Sequence, residues 1–298
     1  MKQRIGFVGV GTMGKPMAMN LLKAGYPLVV YDINPKPVGE LKEQGAATAQ
    51  SSREVAGQSE IIITMLPKSE HVEAAILGAN GVFEGARNGS VVIDMSTIDP
   101  SVSKKIAQTL LPKGINMLDA PVTGGEMGAQ AGTLTIMVGG DNNIYRQCLD
   151  IFNAMGKHIF YCGPIGNGEI VKIINNFFGG VHAISTAEAL SLGVKAGVDF
   201  KVLYDVISEG TGATGFMKSY CAAKAFKGDF EPGFMAELMH KDLGLAVNLG
   251  KENGVPLLMG GLAYEMFSYV TASGLGKKDF SVVIKMFEDL LNVKLKLA

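Results

Sequence analysis

The sequence predicts a doubly wound α/β domain followed by an all-helical domain, the two joined by a long helix. Three observations carry this. Short apolar runs alternate with helical patterns through the first half; strand signals stop after Gly166; and from Gly168 through Phe177, Ile184 and Leu190 the pattern is long, apolar-periodic and free of proline. The 298 residues suit two domains, and the break at Gly163, Pro164 and Gly166 puts them at 1–164 and 165–298.

Residues 4–10 read as a buried strand running into Gly9-Val10-Gly11-Thr12-Met13-Gly14. A helical pattern follows from Met17 to Ala24 and stops at Gly25; a second strand, 28–31, closes with Asp32. A lone G-x-G-x-x-G is a weak signal. Between a strand and a helix, with an acid about 20 residues on at the end of the next strand, it is the fingerprint of a Rossmann-type dinucleotide site. Gly9 permits the tight turn, Gly11 lets backbone approach a pyrophosphate, and Gly14 lets the helix pack on the sheet. Thr12 and Met13 lie in the same turn, at a helix N-terminus suited to phosphate. Asp32 would accept the adenine-ribose hydroxyls and repel a 2′-phosphate, favouring NAD over NADP. Lys36 nearby softens that preference and keeps NADP as the alternative cofactor.

The alternation continues. Residues 60–65 form a strand ending in Leu66-Pro67, and 90–94 form one ending in Met95-Ser96-Thr97. Residues 116–119 run into Ala120-Pro121-Val122, and 134–138 into Gly139-Gly140. Ligands of open α/β sheets sit beyond the carboxyl ends of the strands, so Met65, Leu66, Pro67, Ser96 and Thr97 are candidates to line the cofactor site. In Asp119-Ala120-Pro121-Val122-Thr123-Gly124-Gly125 a strand delivers a hydroxyl beside exposed backbone N–H groups, a cradle suited to a carboxylate. A mobile turn would read the same way.

On the long helix, Lys172 and Asn176 are four apart and share a face. A solvated face accounts for an arbitrary pair of this kind. Beyond it, helical stretches break at Gly210-Thr211-Gly212, at Phe230-Glu231-Pro232-Gly233 and near Gly254-Val255-Pro256. Lys241-Asp242, on an otherwise apolar helix, reads alone as a solvated or capping pair. Tyr220-Cys221-Ala222-Ala223-Lys224 matches the Tyr-x-x-x-Lys pair of short-chain dehydrogenases, but it falls deep in the helical half and is taken as coincidence.

The totals narrow the function classes. A formal net charge of -1 offers no basic face, so nucleic acid is a poor partner. No apolar run reaches the ~18–20 residues of a membrane span. The N-terminus carries no signal-peptide pattern. Three cysteines without a Cys-x-x-Cys pair suit neither a disulfide framework nor a zinc knuckle, and point to a reducing, cytoplasmic setting. The four histidines lack metal-ligand spacing, and no metal is expected.

Four motifs in this order, Gly9-x-Gly11-x-x-Gly14, Asp119-Ala120-Pro121-Val122-Thr123-Gly124-Gly125, Gly166-x-Gly168-x-x-x-Lys172-x-x-Asn175-Asn176 and Lys241-Asp242, carry a resemblance across essentially the whole chain. The sequence resembles the β-hydroxyacid dehydrogenases, the family of 3-hydroxyisobutyrate dehydrogenase, tartronate semialdehyde reductase and 2-(hydroxymethyl)glutarate dehydrogenase. The resemblance implies a homodimer or homotetramer and an NAD(H)-dependent oxidoreductase. The substrate pair implied is a small β-hydroxy acid, of the 3-hydroxyisobutyrate, glycerate or 2-(hydroxymethyl)glutarate type, and its semialdehyde. It implies Lys172 as the catalytic acid and base, Asn176 and Thr123-Gly124-Gly125 as substrate-binding, and Thr97 and Lys241 as cofactor contacts. Thr123 departs from the serine more usual there; the hydroxyl survives and its methyl crowds the pocket.

In that reading a cofactor carries the hydride while the protein orients the partners and manages the proton. A lysine acting as a base needs burial to shed its charge. Met127, Phe177, Met217, Phe234 and Met239 are candidates for the pocket around the substrate's side chain. The alternatives are an NADPH-dependent succinic semialdehyde or glyoxylate reductase of the same family, and a non-catalytic cofactor-binding scaffold. A sulfonate-accepting branch would need a basic residue after Pro121, and imine-reducing relatives usually replace the lysine; neither fits Thr123 to Glu126 or Lys172.

Overall fold

The computed structural model describes residues 2–297. The chain divides into two compact units, the first ending at Lys172 and the second beginning at Ile173. The division falls inside the long helix.

In the first unit the strands are β1 (Ile5–Val8), β2 (Leu28–Tyr31), β3 (Ala47–Thr48), β4 (Ile61–Thr64), β5 (Val91–Asp94), β6 (Asn116–Asp119), β7 (Val122–Thr123), β8 (Leu134–Gly140) and β9 (Gly156–Gly163). The helices between them are α1 (Gly14–Lys23), α2 (Pro35–Glu43), α3 (Ser52–Gly57), α4 (Ser69–Leu77), α5 (Val82–Gly85), α6 (Pro100–Leu110), α7 (Gly125–Ala131), α8 (Asn142–Gln147) and α9 (Leu149–Met155). Among the described residues the strands form one sheet, ordered β3-β2-β1-β4-β5-β6-β8-β7, with β9 on β8. From β3 to β6 every pairing is parallel. The chain runs outward from β1 in one direction and then, from β4, in the other. That reversal leaves a crevice beyond the carboxyl ends of β1 and β4, where open α/β sheets bind ligands.

The central strands read as continuous apolar runs because both faces are covered. Ile61 and Ile63 pack in one core with Phe7, Met17, Leu21 and Leu118. Ile62 between them faces the other, with Val29, Val92, Ile106 and Leu110. At the β8 edge of the sheet the strand directions and the last strand go beyond the sequence pattern. β8 runs antiparallel to β6 and β7. β9 pairs parallel with β8; most of its residues are exposed or half-buried, so it has no buried apolar run to announce it.

The second unit is helical. α10 (Asn167–Lys195) enters it and is followed by α11 (Phe200–Glu209), α12 (Ala236–Glu252), α13 (Leu258–Val270) and α14 (Val282–Leu291). Their apolar faces meet in one core around Ala183, Leu190, Phe226, Leu243, Phe267 and Ile284. α11 and α12 stop at Glu209 and Glu252, next to the glycine breaks read from the sequence. Among the described residues no helix is long and apolar enough to cross a membrane.

Candidate active site

The glycine turn has the shape its spacing requires. Gly9 has φ +90, and a Cβ there would lie 2.4 Å from the Met65 carbonyl oxygen. A Cβ on Gly14 would lie 2.0 Å from the Gly9 carbonyl oxygen, so the start of α1 can sit this close to β1 only as glycine. Gly11 differs: a Cβ there would meet nothing within 4 Å. Its side faces the open groove rather than the protein. No side chain caps α1, and its first turn holds no acid; α2, α3, α6 and α8, by contrast, are capped by Asn34, Ser51, Asp99 and Asp141. An anion is the natural complement of such an N-terminus.

A groove of about 620 Å³ runs past this turn, lined by Val10, Gly11, Thr12, Lys15, Asn34 and Lys36 among others. Asp32 stands beyond β2 with its carboxylate accepting the Val10 N–H at 2.8 Å and the Asn34 N–H at 2.8 Å. These bonds fix the carboxylate beside the glycine turn. Ile33, next in the chain, is 91% exposed, a large apolar surface that the sequence reading passed over. The open side of Gly11, the uncapped helix and the anchored acid together fit a dinucleotide.

Met65, Leu66 and Thr97 lie beyond β4 and β5 at the same end of the sheet, and are half-buried; Pro67 is exposed. A buried relay holds the first of these loops. The Leu66 N–H donates to Ser96 Oγ at 2.9 Å, and the Ser96 and Thr64 hydroxyls donate to Asp94 Oδ1 at 2.6 and 2.7 Å. Burial pushes the Asp94 carboxyl up to about 6 against the pull of these donors. Thr64 and Asp94 are the last residues of their strands, and their roles are invisible in one-dimensional pattern.

Thr123 ends β7, and Gly124 and Gly125 follow with φ 126 and φ 62. Both glycines are exposed. Lys172 lies on α10 and is 7% exposed. The same helix carries Asn176, one turn on and 6% exposed.

In the second unit Asn176 is held from both ends. Its Oδ1 accepts from Asn175 Nδ2 at 2.9 Å, and its Nδ2 donates to Asp242 Oδ2. The other oxygen of Asp242 pairs with Lys241 Nζ at 3.0 Å. Asp242 is 1% exposed, so the expectation of a solvated or capping pair is corrected: it is a buried carboxylate tying α12 to the Asn175-Asn176 amides. The cue was the placement of a Lys-Asp couple on an apolar helix.

Of the other pocket candidates, Met217 and Met239 are buried in the core of the second unit, and Met127 is 83% exposed. The Tyr-x-x-x-Lys spacing is structural. The Tyr220 hydroxyl donates to Asp279 at 2.6 Å, burial and that carboxylate push its pKa up, and Lys224 pairs with Asp229 at 3.1 Å. His240, half-buried, lies tilted against Tyr264 with ring centroids 4.6 Å apart, and burial pushes its pKa down. Among the described residues no three His, Cys, Asp or Glu side chains converge to hold a metal.

Comparison with known proteins agrees along the full chain. A family profile described as the NAD binding domain of 6-phosphogluconate dehydrogenase matches residues 4–163. A second, described as NAD-binding of NADP-dependent 3-hydroxyisobutyrate dehydrogenase, matches residues 166–287. A 2-(hydroxymethyl)glutarate dehydrogenase of Eubacterium barkeri is 42% identical, over 97% of this chain and 96% of that protein. The chain belongs to the β-hydroxyacid dehydrogenases. Other members with comparable similarity include an NAD-dependent L-serine dehydrogenase of Pseudomonas aeruginosa, 41% identical over 97% of this chain and 98% of that protein. A Mycobacterium tuberculosis 3-hydroxyisobutyrate dehydrogenase, solved with L-serine, superposes with a TM-score of 0.88 at 34% identity, over 96% of this chain and 99% of that one. This β-hydroxyacid dehydrogenase is thus an NAD(P)-dependent oxidoreductase with a Rossmann-type first unit and a helical second one.

Proposed function

We propose that this dehydrogenase interconverts a small carboxylate-bearing β-hydroxy acid and its semialdehyde, with Lys172 moving the proton. The observation that carries the reading is a lysine only 7% exposed on an apolar stretch of helix. Burial of a lysine is uncommon, and it lowers the cost of the neutral amine that proton transfer needs. NAD, when bound, accepts or donates the hydride. In oxidation the Lys172 amine takes the proton of the substrate hydroxyl; in reduction its ammonium returns one to the forming alkoxide. Asn176, oriented by Asn175 and Asp242, presents its amide to the substrate. The Thr123 hydroxyl and the Gly124-Gly125 backbone hold the substrate carboxylate, which fixes the reacting carbon.

In the cofactor groove Gly9 to Gly14 receive the pyrophosphate, Asp32 the adenine ribose and Ile33 the adenine face. Met65, Leu66, Pro67, Thr97 and Lys241 are assigned to the remaining cofactor contacts. Asp32 favours NAD; Lys36, which lines the groove, is the feature that admits NADP. The substrates named for the relatives, together with glycerate, set the panel: 2-(hydroxymethyl)glutarate, 3-hydroxyisobutyrate and L-serine, the last of which sequence reasoning did not anticipate. Exposed Leu192, Val206, Leu258 and Leu290 on the second unit support a homodimer or homotetramer, which light scattering tests. Three unpaired cysteines support a reducing compartment, the cytoplasm among them.

The deciding test follows absorbance at 340 nm with each panel member and NAD or NADP, for the wild type and Lys172→Ala. Loss of about 10²–10⁴ in kcat with NADH affinity retained is expected. Near-normal turnover by Lys172→Ala would sink the assignment.

A further inference from the structure

The Asp119 carboxylate takes no part in the chemistry above, yet it is completely buried at the end of β6. Its Oδ1 accepts the Gly166 N–H at 2.7 Å and its Oδ2 accepts the Glu169 N–H at 2.9 Å. Those two groups bracket the first turn of α10, the helix whose next turn carries Lys172. The carboxylate is seated between two glycines. A Cβ on Gly139 would stand 2.4 Å from Oδ1, and one on Gly168 would stand 2.8 Å from Oδ2. Gly166 meets the acid with φ +91, a left-handed conformation that side chains disfavour. Three glycines are therefore arranged around one acid.

The clamp has a second arm. Glu169 sends its Oε2 to the Ile98 N–H at 3.1 Å, directly after Thr97. The first turn of α10 is thus tied to the end of β6 and to the loop beyond β5. The β6 end is itself part of a rigid frame: Asp119 pairs with Gly139 and Thr123 with Thr135, both on β8. One strand therefore sets both the acid that holds the helix and the hydroxyl assigned to the substrate.

We infer that Asp119 is the positioning residue for the Lys172 amine: by holding the Gly166 and Glu169 N–H groups it fixes where α10 starts, and so where Lys172 lies relative to the Thr123-Gly124-Gly125 cradle. A helix is stiff over one turn, so an error at its start is carried to Lys172 at 1.5 Å of rise per residue. The negative charge also suits the positive end of the helix dipole. This rests on Lys172 being the proton-transfer group.

Asp119→Asn keeps the volume but puts an NH₂ against one of the two N–H donors, so one bond is lost. Three readouts follow: kcat with NAD and the fastest hydroxy acid of the panel, amide exchange over 166–172, and the rate of reductive methylation of Lys172 by mass spectrometry. A loss of about 10–100-fold in kcat is expected, the cost of misplacing a reacting group by about 1 Å. NADH affinity stays within about twofold. Exchange over 166–172 and methylation of Lys172 both accelerate. In a Lys172→Ala background, Asp119→Asn removes nothing further, because its effect runs through the amine.

An additive loss in that background, or unchanged exchange and methylation, overturns the inference. If Lys172→Ala itself turns over normally, the assignment of Lys172 fails, while exchange and methylation still report whether Asp119 holds the helix and its amine. Asp119→Ser, which retains one short acceptor that cannot span both donors, repeats the test should the asparagine variant fail to fold.

Discussion

Asp94→Asn separates the buried relay beneath the Leu66 loop from ordinary surface titration. Asp94 is completely buried, its Oδ1 takes the Thr64 and Ser96 hydroxyls, and its Oδ2 has no hydrogen-bond partner. Burial raises its carboxyl from 3.8 to about 6. The folded protein therefore keeps this proton where the unfolded chain has released it, and stability falls as pH rises between those values. At 1.36 kcal/mol per pKa unit the full cost is about 3 kcal/mol, of which about 2 kcal/mol accrues between about pH 4.5 and about pH 7.5. Asparagine keeps the accepting oxygen and cannot ionise. Urea unfolding across that range should show the stability of Asp94→Asn gaining on the wild type by about 2 kcal/mol as pH rises. Parallel pH profiles for the two proteins would refute the reasoning, since the Asp94 proton would then contribute nothing to the slope.

The glycine turn gives a paired test. Gly14→Ala drives a methyl into the Gly9 carbonyl and should lower stability by about 1–3 kcal/mol. Gly11→Ala meets no protein atom, so its melting temperature should hold while NADH binding, measured by fluorescence titration, weakens at least tenfold; equal effects on both quantities in both variants would contradict the assignment of roles. Tyr220→Phe removes the hydroxyl that donates to Asp279, and should cost about 1.5–3 kcal/mol in a thermal melt while leaving kcat unchanged. A collapse of kcat there would revive the Tyr-x-x-x-Lys reading.

Most of the fold was legible because its signals are local. β1, β2, β4 and β5 each bury both faces and so write unbroken apolar runs; the glycine turn writes its own spacing; α10 writes a long period without proline. The strands that went unread, β3, β7 and β9, are short or exposed, and their existence depends on partners supplied from elsewhere in the chain. The direction of β8 was equally silent, since a strand's side-chain pattern is the same whichever way its neighbour runs.

The site divides along the same line. The sequence by itself determined the residue types and their order: a glycine turn between a strand and a helix, an acid after the second strand, a hydroxyl before two glycines, and a lysine and an amide one helical turn apart. Only the tertiary structure decided which polar side chains hold those groups in place. Asp94 reaches Thr64 across neighbouring strands, Asp119 reaches Gly166 and Glu169 from far along the chain, and Asp242 reaches Asn176 from another helix. A carboxylate's task depends on whether it is stripped of water and which donors close around it. Both are set by the packing of distant segments, so these acids cannot be told from solvated ones until the chain is folded.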